Sequence, residues 1–214
     1  MKGYFVTATG TDTGKTFCTA GLLRANPALR AIKPLLSGFE DGNAAESDSG
    51  QLLAAMGRTV DAAQIAAITP WRFKAPLSPD MAAAREGQSI SYEALLAFCR
   101  AELARGTTLI EGAGGAAVPL TETRMTADWI KDLNLPVLLV TGSYLGSISH
   151  CITTAEFLLR RDIPIRAILL NESPVAPVPT AETAAAISRY LPCDIVTIPR
   201  NAQTGDFAPL ALSL

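Results

Sequence analysis

Histidine and cysteine are scarce in this chain of 214 residues, and their positions argue against a metal centre built from them. The only histidine is His150, and the cysteines Cys18, Cys99, Cys151 and Cys193 lie far apart without a C-x-x-C pair. Zinc sites in proteins use cysteine and histidine ligands clustered at short spacings. We therefore expect the cysteines to be buried, reduced thiols rather than metal ligands.

Clustered positive charge and long apolar runs are also lacking. The chain has 18 Lys and Arg against 20 Asp and Glu, which leaves a formal net charge of −2 and no basic block. Because nucleic acids are bound through clustered Lys and Arg, we expect no nucleic-acid partner. The first apolar run, "YFVTA", is too short for the core of a signal peptide, and no run is long enough to span a bilayer. These absences predict a soluble, cytoplasmic protein with no membrane partner.

What the chain does contain is a regular alternation of strand-like and helix-like segments. Its length and its 49% hydrophobic content suit one domain over residues 1–214. Strands are predicted at 3–8, 29–35, 107–112, 136–142, 165–171 and 194–199, and helices near 15–25, 46–57, 91–104, 146–161 and 180–190. Apolar strands that alternate with helices predict an α/β fold with a mostly parallel central sheet and helices on both faces. Ligands of such sheets bind at the carboxyl ends of the strands.

The segment "TATGTDTGKT", residues 7–16, is similar to a phosphate-binding loop, but its spacing departs from the usual G-x-x-x-x-G-K-[ST] pattern. Three residues separate Gly10 from Gly14, too few to wrap a phosphate, whereas five separate Ala8 from Gly14. The apolar strand before the loop and the helix-forming "KTFCTAGLL" after it supply the context that the motif requires. We predict a wider, working cradle in which Gly14, Lys15 and Thr16 hold phosphate at a helix N-terminus.

Charged residues end two further predicted strands. Lys33 ends an apolar run, and in a parallel sheet it would lie at the same edge as the cradle, so that two ammonium groups face one phosphoryl group. Glu111 ends another apolar run and precedes a glycine-rich turn, the position of an oxygen ligand for a cation that bridges phosphates. Asp48 is a second candidate oxygen ligand, although its position at a helix start also suits a capping role.

These motifs together resemble the dethiobiotin synthetase family of P-loop enzymes. The resemblance covers nearly the whole chain and includes "YFVTATGTDTGKT", "IKPLLSG", "ESDSG", "PLSPDMAAAREG", "EGAGGAAVPLTETRMTADW", "LPVLLVTGSYLGSISH", "LLNESP" and "IPRN". It implies a mostly parallel P-loop sheet of seven strands, a homodimer, and ATP and Mg2+ as cofactors. The implied reaction is the carboxylation of 7,8-diaminopelargonate by CO2 or bicarbonate and the closure of its ring to dethiobiotin.

The resemblance also assigns roles to the matched positions. Catalytic roles fall on Lys15, Lys33, Thr11 and Ser37. Nucleotide contacts fall on Asp12, Thr13, Gly14, Lys15, Thr16, Glu111, Gly114, Asn171, Pro199 and Asn201, and Mg2+ ligation on Thr16, Asp48 and Glu111. Substrate contacts fall on Ser37 and, from the neighbouring subunit, on Tyr144, Leu145, Gly146 and Ser147.

One departure from the family pattern lies within the loop. Ala8 stands where family members usually have glycine, and Gly10 stands where they usually have an acidic residue. If position 8 needs a positive φ, the alanine methyl costs about 1–2 kcal/mol. We expect a functional cradle with an altered entry.

Two other functions remain open from the sequence. One is another amidoligase of the same P-loop branch, although those enzymes are usually longer or carry a glutaminase domain. The other is an ATPase switch of the partitioning type. Such switches tend to have an extra lysine early in the loop, where this chain reads "ATGTDT", and many end in an amphipathic membrane-binding tail, where this chain reads "DFAPLALSL".

Overall fold

A computed structural model describes residues 3–214. The strands in this range are β1 (Gly3–Ala8), β2 (Arg30–Ile32), β3 (Leu35–Ser37), β4 (Trp71–Phe73), β5 (Thr108–Glu111), β6 (Val137–Gly142), β7 (Ile165–Asn171) and β8 (Ile195–Ile198). The helices are α1 (Lys15–Ala25), α2 (Asp48–Ala55), α3 (Ala62–Ile68), α4 (Pro79–Arg85), α5 (Tyr92–Leu103), α6 (Thr126–Leu133), α7 (Ser147–Leu159), α8 (Thr180–Ser188) and α9 (Thr204–Ala211).

The main sheet contains six strands in the order β2-β5-β1-β6-β7-β8, and every pairing within it is parallel. The seven strands implied by the resemblance are therefore not found in one sheet. The predicted strand at 29–35 divides instead into β2 and β3, and β3 forms a separate parallel pair with β4. The division falls at Lys33 and Pro34, because Pro34 has no N–H for a ladder and the Lys33 N–H donates to the carbonyl of Ile68 at 3.1 Å.

Helices cover both faces of the main sheet, as its apolar strands predict. Successive side chains of a strand point to opposite faces, and two neighbours in β1 show what covers each face. The Phe5 ring packs edge-on against Trp129 of α6, with 4.8 Å between ring centroids. The hydroxyl of Tyr4 donates to the carbonyl of Leu214, just beyond α9, at 3.4 Å. Within residues 3–214, no helix is both long and apolar enough to cross a membrane.

Strand register brings the polar residues to one edge of the sheet. In the β2–β5 pair Ile32 lies opposite Ile110. The next residues along the chain, Lys33 and Glu111, therefore lie side by side at this edge of the sheet. Glu111 is also paired with Val6, two residues before β1 ends at Ala8. The loop between β1 and α1 therefore begins next to the end of β5.

Candidate active site

The loop between β1 and α1 obtains its curvature from Asp12 and Gly14. Asp12 has a φ of 57° and Gly14, the N-cap of α1, a φ of 95°, whereas Ala8 and Gly10 are not among the positive-φ residues. Ala8 is a fully buried, extended strand residue that pairs with Val140. Position 8 therefore needs no positive φ, because the turn begins further along the chain. The strain considered for an alanine at this position does not arise.

Lys15, the first residue of α1, turns back over this loop. Its side-chain amine donates to the carbonyl of Gly10 at 3.2 Å, and the residue is only 7% exposed. Burial, with a further contribution from the positive charge of Lys33, lowers the pKa of Lys15 to about 8. Within residues 3–214 the Lys15 amine has one hydrogen-bond partner, the Gly10 carbonyl, which leaves two N–H donors for an anion.

Lys33 lies between two carboxylates. Its amine is 2.8 Å from Oδ2 of Asp48 and 2.8 Å from Oε1 of Glu111, and it donates to the carbonyl of Gly112 at 3.0 Å. Burial lowers the pKa of Lys33, but the two carboxylate charges outweigh it and raise the pKa to about 12. The side chain is therefore a permanent cation, and all of its N–H donors are used.

The three predicted Mg2+ ligands meet at this point. The Thr16 hydroxyl donates to Oε1 of Glu111 at 2.7 Å, and both carboxylates share the amine of Lys33. Asp48 is not the helix cap, because Ser47 is the N-cap of α2 and its side chain accepts from the Gly50 N–H. Burial raises the pKa of Asp48, but the charge and hydrogen bond of Lys33 outweigh it and hold that pKa below its usual value.

This donor set fits a hard cation that is also held by phosphates. Glu111 is 0% exposed, and its Oε2 has no hydrogen-bond partner among residues 3–214. Proteins hold Mg2+ beside substrate phosphates with only a few oxygen ligands of their own. Two carboxylates and a hydroxyl form such a set. Among residues 3–214 there is no group of three or more His, Cys, Asp or Glu side chains that could hold a metal by itself.

A cavity of about 860 Å³ opens over these groups. Its lining includes nine predicted site residues: Thr11, Asp12, Gly14, Lys15, Thr16, Lys33, Ser37, Asp48 and Gly114. Both lysines therefore face the same space. The lining also includes Pro76–Pro79, which precedes and begins α4 and to which the sequence motifs gave no role. The proline-rich pattern of this segment signals a turn but not what the turn faces.

Comparison with known proteins identifies the family. Residues 2–206 match a family described as "AAA domain". The chain is 46% identical over 198 residues to the ATP-dependent dethiobiotin synthetase of Acidiphilium cryptum, with 89% of each chain covered. It is 44% identical over 212 residues to that of Methylobacterium nodulans, with 94% of each covered. The chain belongs to the dethiobiotin synthetase family.

Solved structures support the fold of this dethiobiotin synthetase family member. A ParA family ATPase from Chlorobium tepidum superposes with a TM-score of 0.59 at 14% identity, covering 100% of this chain and 99% of that one. MinD in the MinC:MinD complex of Aquifex aeolicus gives a TM-score of 0.54 at 12% identity, covering 99% and 86%. At such identities the likeness shows only the shared α/β P-loop architecture.

Several residues that the dethiobiotin synthetase resemblance places in the site do not line the main cavity. Glu111 lies behind it, and Thr13 forms part of the loop, where its hydroxyl donates to the Gly10 carbonyl at 3.4 Å. Asn171 ends β7 and contacts the loop from the side, with its Nδ2 3.0 Å from the Thr13 carbonyl. Pro199 and Asn201 follow β8, outside the cavity.

The predicted substrate-binding segment of this dethiobiotin synthetase family member also lies outside its own cavity. Tyr144, Leu145, Gly146 and Ser147 connect β6 to α7, and none of them lines the space above the lysines. Leu145 is 86% exposed, and Gly146 begins α7 without a side-chain cap. The hydroxyl of Tyr144 is hydrogen-bonded to Nδ1 of His150 at 2.8 Å.

Proposed function

We propose that this protein catalyses the ATP- and Mg2+-dependent conversion of 7,8-diaminopelargonate and CO2 to dethiobiotin, ADP and phosphate, as a ligase of biotin biosynthesis. The observation that carries the proposal is the pair of buried lysines, Lys15 and Lys33, on one cavity beside two carboxylates. The synthetase names of relatives at 46% and 44% identity supply the reaction.

The proposed chemistry proceeds through two intermediates. An amine of the diamine adds to CO2 and loses a proton, giving a carbamate. A carbamate oxygen attacks the terminal phosphorus of ATP and displaces ADP, giving a carbamic-phosphoric anhydride. The second amine then attacks the anhydride carbonyl and loses a proton, phosphate leaves, and the cyclic urea closes. Each step moves negative charge across the space that the two lysines face.

Each side chain has a role that its position supports. Lys15, at the N-terminus of α1, neutralises the terminal phosphates. Lys33 neutralises the carbamate and the phosphoryl group in transfer, and Thr11 and Ser37 donate hydrogen bonds near the reacting atoms. Oγ of Ser37 is buried without a partner and its residue lines the cavity, which leaves this hydroxyl available to substrate.

Mg2+ would be held by Thr16, Asp48 and Glu111, and it would supply positive charge that neutralises the phosphates. In the structure the amine of Lys33 fills the space between the two carboxylates. When the carboxylates hold a cation, Lys33 is free to donate to the carbamate instead. Mg2+ would therefore offset the negative charge of the phosphates, and Lys33 that of the carbamate.

A homodimer is part of the proposal. Residues 144–147 do not line the cavity of their own chain, and in the proposed dimer they serve the substrate carboxylate of the neighbouring subunit. The uncapped start of α7 offers N–H groups that suit a carboxylate. The base-lining roles of Asn171, Pro199 and Asn201, the cytoplasmic location, and the absence of nucleic-acid and membrane partners remain predictions.

The proposal is tested by product analysis. The protein is incubated with 7,8-diaminopelargonate, bicarbonate, Mg2+ and one nucleoside triphosphate at a time, and the ureido product is detected by mass. We expect dethiobiotin and phosphate in equal amounts with ATP. Phosphate release that does not need the diamine would instead favour an ATPase switch.

A further inference from the structure

Asn171 connects the end of β7 to the phosphate-binding loop. Its Nδ2 lies 3.0 Å from the carbonyl oxygen of Thr13, far away in sequence. The carbonyl can only accept a hydrogen bond, so the amide nitrogen must be the atom that faces it. β7 is separated from β1 only by β6, which explains how the side chain reaches a loop that begins two strands away.

This contact fixes the direction of one peptide group. The peptide between Thr13 and Gly14 is planar and trans, so its N–H points opposite to its C=O. Because the C=O is held toward Asn171, the N–H of Gly14 points away from Asn171. Gly14 lines the cavity and Asn171 does not, so the N–H is turned toward the side where phosphate would bind.

The same contact explains why position 14 is a glycine. A Cβ built on Gly14 would lie 2.2 Å from Nδ2 and 3.2 Å from Cγ of Asn171, in addition to the strain of a φ of 95°. The amide occupies the space that a side chain at position 14 would need. The loop and the asparagine are therefore fitted to each other.

We propose that Asn171 is a positioning residue for the phosphate cradle, and that this role is separate from any contact with the nucleotide base. The inference rests on the proposed function, because it assumes that the cavity binds a nucleoside triphosphate. Asn171 acts through Gly14: it holds the peptide so that a backbone donor meets the phosphate. One amide N–H and the amide oxygen remain for other partners.

The test separates phosphate binding from base binding. Dissociation constants are measured by calorimetry with Mg2+ and either tripolyphosphate, which has no base, or ATP, GTP and CTP in turn. In Asn171→Ala and Asn171→Ser the amide donor is removed without added charge. Because one neutral hydrogen bond is lost, we expect about 3- to 10-fold weaker binding of all four ligands, by similar factors.

Asn43→Ala is the matched control. Asn43 is exposed, lies outside the loop and does not line the cavity, so this variant should bind tripolyphosphate as the wild type does. Thermal unfolding is measured in parallel. Because Asn171 is only partly buried, both of its variants should remain folded within a few degrees of the wild type.

Three results would overturn the inference. Unchanged tripolyphosphate binding with weaker ATP binding would make Asn171 a base-reading residue only. Unfolded Asn171→Ala and Asn171→Ser variants would mean that the amide supports the fold rather than the loop. A wild-type protein that binds ATP but not tripolyphosphate would mean that the loop does not bind phosphate by itself, so that Asn171 has no phosphate binding to support. A wild-type chain that binds no triphosphate would instead remove the proposed function itself.

Discussion

At the scale of single residues, the account depends on Lys33. This residue is 2% exposed, and its amine contacts two carboxylates and a backbone carbonyl. The placement of Lys33 at the edge of the sheet could be predicted from the sequence, because a lysine after an apolar run marks the end of a strand. Its contact with Asp48 could not, because that contact depends on how α2 packs beside the sheet.

Lys33→Ala should lower turnover by about two to three orders of magnitude, the scale of losing one preorganised charged donor. Steady-state kinetics with saturating ATP and diamine measure this loss. The conservative variant Lys33→Arg keeps the charge but not the shape and should recover only part of the activity. Turnover close to that of the wild type in Lys33→Ala would remove Lys33 from the mechanism.

Mg2+ should stabilise a Lys33→Met variant more than the wild type. Without the ammonium, Glu111 and Asp48 repel each other around a space that a divalent cation can occupy, whereas in the wild type the cation must displace Lys33. Unfolding temperatures with and without Mg2+ measure the difference. The double variant Lys33→Met/Glu111→Gln is the control and should lose the extra stabilisation. An equal rise of the unfolding temperature with Mg2+ in the wild type and in Lys33→Met would contradict the claim that Mg2+ and the Lys33 amine occupy the same position.

ATP binding should take up a proton above pH 8. The pKa of Lys15 is about 8 in the ligand-free protein, and a bound phosphate favours the charged form and raises it. Below this pH Lys15 already has its proton, so uptake should be small near pH 7 and approach one proton near pH 9, with weaker affinity as the pH rises. Calorimetry in buffers of different ionisation enthalpy measures the uptake. Lys15→Arg stays charged and should show none from this residue; equal uptake in both proteins would contradict the assignment.

At the scale of elements, what the sequence reveals depends on length and pattern. The six predicted strands correspond to β1, β2, β5, β6, β7 and β8, and the five predicted helices to α1, α2, α5, α7 and α8. The sequence did not reveal β4 or a separate β3, of three residues each, or the helices α3, α4, α6 and α9, of seven or eight residues. Most segments this short are stabilised by tertiary packing, but α6 has a one-sided apolar pattern that the sequence does show.

The phosphate-binding loop shows the same limit within one element. Its spacing predicted a cradle, and the structure has a loop there between β1 and α1, but the sequence pointed to Ala8 and Gly10 as the special positions. In the structure the left-handed residues are Asp12 and Gly14. A glycine in the sequence marks where such a conformation is permitted, whereas the fold decides which residue adopts it.

Two alanine substitutions in this loop should therefore differ sharply. A Cβ at Gly10 meets nothing within 4 Å, so Gly10→Ala should change the free energy of unfolding by less than about 0.5 kcal/mol and leave ATP affinity unchanged. Gly14→Ala adds left-handed strain of about 1–2 kcal/mol and a clash with Asn171, so ATP affinity should fall at least about tenfold. Denaturant unfolding and ATP titration measure both. Similar effects at the two positions would contradict the assigned loop geometry.

At the scale of the whole molecule, the parallel sheet brings residues from separate segments to one edge. Thr11, Asp12, residues 14–16, Lys33, Ser37, Asp48 and Gly114 meet around one cavity because β1, β2 and β5 are neighbours. The fold class was predictable from the alternation of apolar strands and helices. The single domain over residues 1–214 stays a prediction, as does the contribution of a second subunit.

Leu145→Asp should weaken the proposed dimer. Leu145 is 86% exposed in the segment assigned to the neighbouring site, and a charge there would be desolvated on association. We expect a monomer by light scattering and a KM for the diamine raised at least about tenfold, with little change in the KM for ATP. Leu212→Asp, at another leucine that is 72% exposed, is the matched control and should remain dimeric. A dimeric Leu145→Asp with normal kinetics would show that residues 144–147 do not serve a partner.

The most direct test of the central claim follows the oxygen atoms of CO2 into the products. The reaction is run with 18O-labelled bicarbonate, faster than the label exchanges with water, and phosphate and dethiobiotin are analysed by mass. If the two lysines act on a carbamate that attacks ATP, one labelled oxygen should leave in phosphate and another should remain in the ureido carbonyl. Unlabelled phosphate, whose new oxygen comes from water, would contradict the account and leave a nucleotide hydrolase in its place.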